Sequence, residues 1–146
     1  MKKVKDILNT KIDVETHSVT PGTTVWDAIK LMTEKSVGAL LVTENNKLVG
    51  IVSERDYMRK VALLGRSSQT TEVRDIMTPN PLTVSLDESM ELCMELMTEK
   101  RIRHLPVVAD EKIFGMLSIR DLLENIMEEQ KHLIQQLEQY IRGESY

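Results

Sequence analysis

The sequence predicts an α/β fold made of two β-α-β-β-α repeats, with small sheets covered by helices and an extended C-terminal helix. Three observations carry this reading. Met32-Thr33-Glu34-Lys35 returns letter for letter as Met97-Thr98-Glu99-Lys100, an offset of 65 residues. At that offset, without a gap, Val19 meets Val84, Leu40 meets Leu105, Val42 meets Val107, Lys47 meets Lys112, Gly50 meets Gly115 and Ser53 meets Ser118. Arg55-Asp56 likewise meets Arg120-Asp121. Chance could supply the four-letter block, but not the remainder in register, so the chain is two copies of one unit. Neither copy alone could bury both faces of its sheet, so the halves must share cover.

Each element follows from local pattern. A short strand around His17-Ser18-Val19 leads to a helix with Val25, Ala28, Ile29 and Met32 at helical spacing. Thr24 and Asp27 form its capping signal. In the second copy Met90, Cys93, Met94 and Met97 take the same face, so Cys93 stands where the first copy has Ala28. A small core residue is expected there. Gly38 to Thr43 reads as an apolar strand, Glu44-Asn45-Asn46 as a turn and Lys47 to Val52 as a second strand. Leu105-Pro106-Val107-Val108, the turn Ala109-Asp110-Glu111 and Lys112 to Leu117 repeat that hairpin. A helix starting near Ser53 or Ser118 closes each unit. The expected division is 1–65 for the first repeat with its N-terminal segment, 66–72 for a polar linker, 73–127 for the second repeat and 128–146 for a helical extension.

Composition narrows the function. The chain has 146 residues, a net charge of −4 and 41% apolar residues, but only 3% aromatics. That is enough apolar content for a core, which must be aliphatic. A mildly acidic balance with no basic stripe disfavours nucleic acid as a partner. No apolar run reaches the roughly 18 residues of a membrane span, and no signal-peptide core follows the opening lysines. One cysteine makes neither an internal disulfide nor a zinc site. These bounds predict a cytoplasmic protein without membrane attachment. No Cys/His pair, nucleophile elbow or P-loop is present, so no catalytic residue and no enzyme activity are expected.

Ser53-x-x-Asp56 and Ser118-x-x-Asp121 read first as capping boxes at helix starts. A helix start also exposes N–H groups and a favourable dipole to an anion, so capping and ligand binding are compatible there. Arg103 and His104 precede a strand, where a solvated turn is the ordinary explanation. Their counterparts, Gly38 and Ala39, carry no charge. Arg55 and Arg120 fit phosphate contact or a surface ion pair equally well. After Ser118 the last helix runs through Ile126, Gln130, Leu133, Leu137 and Tyr140, widened by Met127, Ile134 and Ile141. Such a stripe beyond the core needs cover, and a second copy of the chain is the expected partner.

With Gly50-Ile51-Val52-Ser53-Glu54-Arg55-Asp56 and Gly115-Met116-Leu117-Ser118-Ile119-Arg120-Asp121, the chain resembles a tandem CBS-domain pair over roughly residues 4–127. Asp75-Ile76-Met77-Thr78 and Arg103-His104-Leu105-Pro106-Val107-Val108 add to the likeness, which extends to stand-alone pairs of the CBSX type. The resemblance implies a regulatory module binding an adenosine compound between the repeats: AMP foremost, with ADP, ATP, NAD or S-adenosylmethionine as alternatives, and no metal. It implies that Asp56 and Asp121 hold ribose hydroxyls and that Ser53 and Ser118 hold ribose or phosphate. Arg103 and His104 would hold phosphate. Adenine would pack between aliphatic side chains, here Val37, Ile51, Leu82, Ile102 and Met116, with strand backbone near His17 reading its edge. A homodimer that signals to a protein partner is the implied assembly; the alternative is an interaction scaffold whose clefts are vestigial.

Overall fold

The computed structural model describes residues 2–10 and 16–143. In chain order these hold α1 (Val4–Thr10), β1 (Ser18–Val19), α2 (Val25–Lys35), β2 (Ala39–Glu44), β3 (Lys47–Ser53), α3 (Glu54–Tyr57), β4 (Thr78–Pro79), α4 (Met90–Lys100), β5 (His104–Ala109), β6 (Lys112–Ser118) and α5 (Ile119–Ile141). One sheet has the order β1-β2-β3-β4 and the other pairs β5 with β6.

The offset of 65 governs geometry as well as letters. Val25, Ala28 and Met32 are buried on α2, and Met90, Cys93 and Met97 on α4. Thr24 Oγ1 accepts the Asp27 N–H, and Ser89 Oγ accepts the Leu92 N–H, each satisfying a first-turn donor. Both helices end on a residue in left-handed backbone, Ser36 and Arg101. Both hairpins turn on two residues with positive φ, Asn45-Asn46 and Asp110-Glu111. That conformation matches the twist of the flanking strands. The ladders shift register at Val42/Thr43 and at Val107/Val108, which are again equivalent positions.

Among the described residues the halves also differ. The counterpart of β1 shrinks to a single parallel bridge between Val84 and Val107. The helix after Ser53 has four residues and then a π-wound turn, Met58–Ala62, whereas the helix after Ser118 runs unbroken for 23 residues.

The cores cross the sequence division. Val4 and Ile7 of α1 lie with Met90, Cys93, Leu105 and Leu117 in the second core. Val73 and Ile76 lie with Val25, Leu40 and Val52 in the first. Backbone bonds fix the exchange: the Val4 N–H donates to Glu88 O, and the Val73 N–H to Thr23 O. The stretch read as a linker is tied down as well, since the Val25 and Trp26 N–H groups donate to Thr71 O and Ser68 O.

Cys93 is fully buried, and burial, with Glu88 nearby, pushes its thiol from 9.0 up to about 11. The native thiol therefore keeps a proton that the unfolded one releases. That contribution to stability is complete below about 9 and lost as pH rises through about 11. Urea unfolding should show weaker stability at pH 10 than at pH 8, and less weakening in Cys93→Ala. Equal pH slopes in the two proteins would exclude the thiol as the cause.

Candidate functional site

Where the repeats meet, a cleft of about 660 Å³ opens, and both halves line it. The second repeat contributes the start of α5. There Ser118 Oγ accepts the Asp121 N–H at 3.2 Å, and Asp121 Oδ2 accepts the Ser118 N–H at 2.7 Å. The capping box thus fixes the Asp121 carboxylate at a helix N-terminus. Strand pairing sets His104 opposite Ser118, so Arg103 and His104 arrive at the same end of the hairpin. The Ile119 N–H donates to Arg103 O at 2.8 Å and closes this corner. Met116 adds an aliphatic wall from β6.

From the first repeat come Val37, Gly38 and Ala39, together with His17 before β1. Gly38 keeps the approach tight: a Cβ there would stand 3.3 Å from Glu54 Oε1 and 3.7 Å from His104 Cε1. Eight expected site residues therefore share one cleft: His17, Val37, Arg103, His104, Met116, Ser118, Arg120 and Asp121.

The other six do not line it. Ser53 and Asp56 form the equivalent capping box at α3, with Asp56 Oδ2 accepting the Ser53 N–H at 2.9 Å. Ile51 faces Thr78 across the β3–β4 ladder. Ile102 packs against the second core, and Leu82 is exposed. Arg55 Nη1 donates to Arg101 O at 3.1 Å, so it clasps the end of α4. Arg120 takes the ion-pair alternative, 3.0 Å from Glu124 along the helix.

Sequence reasoning missed several lining residues. Lys35 and Ser36, at the end of α2, bring a cation and a hydroxyl to the cleft from the repeat that lacks charge at Gly38 and Ala39. The repeated Met-Thr-Glu-Lys block contained Lys35, but the left-handed turn at Ser36 that brings the chain round carries no glycine to announce it. Asn125 lies one turn along α5, nearly buried; it donates to Asp121 O and accepts from Lys2 Nζ. Phe114, half exposed, forms part of the rim.

The family model for the CBS domain matches residues 4–63 and again 73–128. The chain is a CBS-domain protein. This CBS pair is 45% identical over 125 residues to CBS domain-containing protein CBSX3, mitochondrial, of Arabidopsis thaliana, a match covering 82% of the chain and 61% of that relative. The chain thus spans about three fifths of that relative's length. A solved protein with CBS domains from Burkholderia ambifaria MC40-6 superposes with a TM-score of 0.85 at 46% identity, covering 88% of this chain and 96% of that one. The CBS domain pair of MJ0100, solved with 5′-methylthioadenosine and S-adenosyl-L-methionine, shares the fold at a TM-score of 0.75 and 22% identity, over 88% and 98% of the two chains. Among the described residues no helix is long and apolar enough to cross a membrane, and no group of three His, Cys, Asp or Glu could hold a metal.

Proposed function

We propose that this CBS pair is a regulatory module that binds an adenosine compound in the Asp121 cleft and passes its occupancy to a protein partner. The convergence of Asp121, Arg103 and His104 with the aliphatic Val37 and Met116 in one inter-repeat cleft carries the reading. Each group has a task there. A carboxylate can accept two hydrogen bonds from a vicinal diol, a charge-assisted contact. A guanidinium offers paired donors to phosphate. Aliphatic walls cover the faces of a purine. The complex of MJ0100 with two adenosine compounds supports this ligand class. AMP is the leading ligand, with ADP, ATP, NAD and S-adenosylmethionine as alternatives; the Arg103 guanidinium favours a ligand that carries phosphate.

A thermal-shift panel of those five compounds and adenosine tests the reading, since a ligand at 100 times its Kd adds about 2.7 kcal/mol of stability. AMP should raise Tm more than adenosine does. In Arg103→Ala, His104→Ala the AMP advantage should vanish while the adenosine shift survives. No shift with any compound would overturn the reading.

The exposed residues of α5 favour self-association as the module's assembly. Leu133, Ile134, Leu137, Tyr140 and Ile141 are all at least half exposed on a helix roughly 35 Å long. A homodimer would cover them and carry a signal away from the cleft at which α5 begins. Leu133→Glu, Leu137→Glu sets charges into that seam, at a heavy desolvation cost. Light scattering should report the loss of dimer; a variant that stays dimeric would place the interface on the repeats themselves.

A further inference from the structure

The Ser-x-x-Asp motif of the first repeat is held by further groups of this chain. In the first repeat, Lys60 Nζ stands 3.5 Å from Asp56 Oδ1 and donates to Ile76 O at 2.9 Å. The other carboxylate oxygen, Oδ2, accepts from the Ser53 N–H and from its hydroxyl, at 2.9 and 3.1 Å. Both oxygens of Asp56 therefore already face donors from this chain. Lys60 lies on the π-wound turn after α3, at the position where the second repeat has the uncharged Asn125 on regular α-helix. Repetition alone would have placed an amide here.

A second contact acts on the neighbouring strand. Met77 Sδ rests on Gly50, only 2.6 Å from where a Cβ would stand, and Thr78 O is 3.0 Å from the same point. Behind them β4 pairs Pro79 with Gly50 and Thr78 with Ile51. Gly115 and Met116, the counterparts of Gly50 and Ile51, line the 660 Å³ cleft instead. The nearest atom to a Cβ at Gly115 is Leu8 Cδ2, at 3.4 Å. The counterpart of Met77 is Ile12, which lies outside the described residues.

We infer that the chain keeps its own Asp56 motif closed, with the Lys60 ammonium where a diol would bond and the Met77 thioether against Gly50, so that each chain takes one adenosine compound, at Asp121. A neutral diol would have to displace an ammonium of opposite charge that is also anchored on a backbone carbonyl, losing the ion pair as it binds. The ion pair is partly exposed and weak alone; the Met77 packing and the β4 ladder reinforce it. This inference deepens the proposed function and rests on it for the ligand class.

Two measurements separate failure of the inference from failure of that reading. The first is calorimetric titration with AMP. Wild type should bind one equivalent per chain, Asp56→Asn should leave affinity and stoichiometry unchanged, and Lys60→Asn, Met77→Ala should bind a second equivalent. Two equivalents in wild type, or weaker binding in Asp56→Asn, would overturn the closure. The second needs no ligand: lysine acetylation read by peptide mass spectrometry. Lys60 should label several-fold faster in Asp56→Asn than in wild type, while Lys47 labels alike in both. Equal Lys60 rates would overturn the closure even where one equivalent binds. If wild type binds no AMP and Lys60 is still slow to label, the ligand class fails and the closure stands.

Discussion

Asp121→Ala should weaken AMP binding by on the order of 10- to 150-fold, because losing a charged acceptor for hydrogen bonds costs about 1.5–3 kcal/mol and each 1.4 kcal/mol is a factor of ten. Calorimetry at constant salt reads this directly. The same carboxylate caps α5 through Ser118 N–H, so the substitution also removes about 1 kcal/mol of helix-start stability. Asp121→Asn separates the two roles. Its amide oxygen keeps a neutral acceptor for the cap but loses the charge that favours the diol, so its melting should stay nearer wild type than its affinity does. Wild-type affinity in Asp121→Ala would remove the carboxylate from the site and leave it a helix cap only.

Ile7→Ala should be the most destabilising single change named here, at about 2–5 kcal/mol. Ile7 is fully buried, yet it belongs to α1, and the side chains around it come from the far half of the sequence. Val73 is the reciprocal case, fully buried in the first core although it opens the second repeat. With each core completed by a segment from the other half, chemical unfolding should remain one cooperative transition in both Ile7→Ala and Val73→Ala. Fluorescence of Trp26 on α2 follows the first half, and far-ultraviolet dichroism, dominated by α4 and α5, follows the second. Non-coincident curves from the two probes would show that the halves unfold separately.

Much of this was legible because repetition turns one ambiguous reading into two concordant ones. A run such as Gly38 to Thr43 could be strand or buried helix. Its match to Leu105-Pro106-Val107-Val108, where Pro106 is hostile to helix, decides for strand. The equivalence of the small residues Ala28 and Cys93 foretold two core positions, and both are buried. The capping boxes were visible as letters, and the Asp121 cleft gathers Arg103 and His104, which lie in the second repeat. What escaped was whatever repetition does not duplicate. The exchange of α1 and of Val73 between cores leaves no trace in local periodicity, since an amphipathic segment does not state which apolar face it will meet. The π-wound turn at Met58–Ala62 has no sequence signature of its own, so the reach of Lys60 to Asp56 could not be foreseen. Leu82 and Ile102 are the counterparts of His17 and Val37 at the offset of 65, so the repeat puts them on the Asp56 side, outside the observed cleft.

The exchanged segments also set an order of events on the ribosome. Helix α1 emerges before the other elements described, but Leu105, Leu117 and Leu122, which share its core with Ile7, are made about a hundred residues later. A seven-residue helix has little stability in water by itself, so until then its apolar face has no partner. The first core is better served: Val73 and Ile76 follow Val52 and Val61 closely, and it can close while the second half is still being synthesised. A newborn chain therefore carries one finished core with a loose apolar segment ahead of it, and α1, made before α2 to α5, waits longest for its seat.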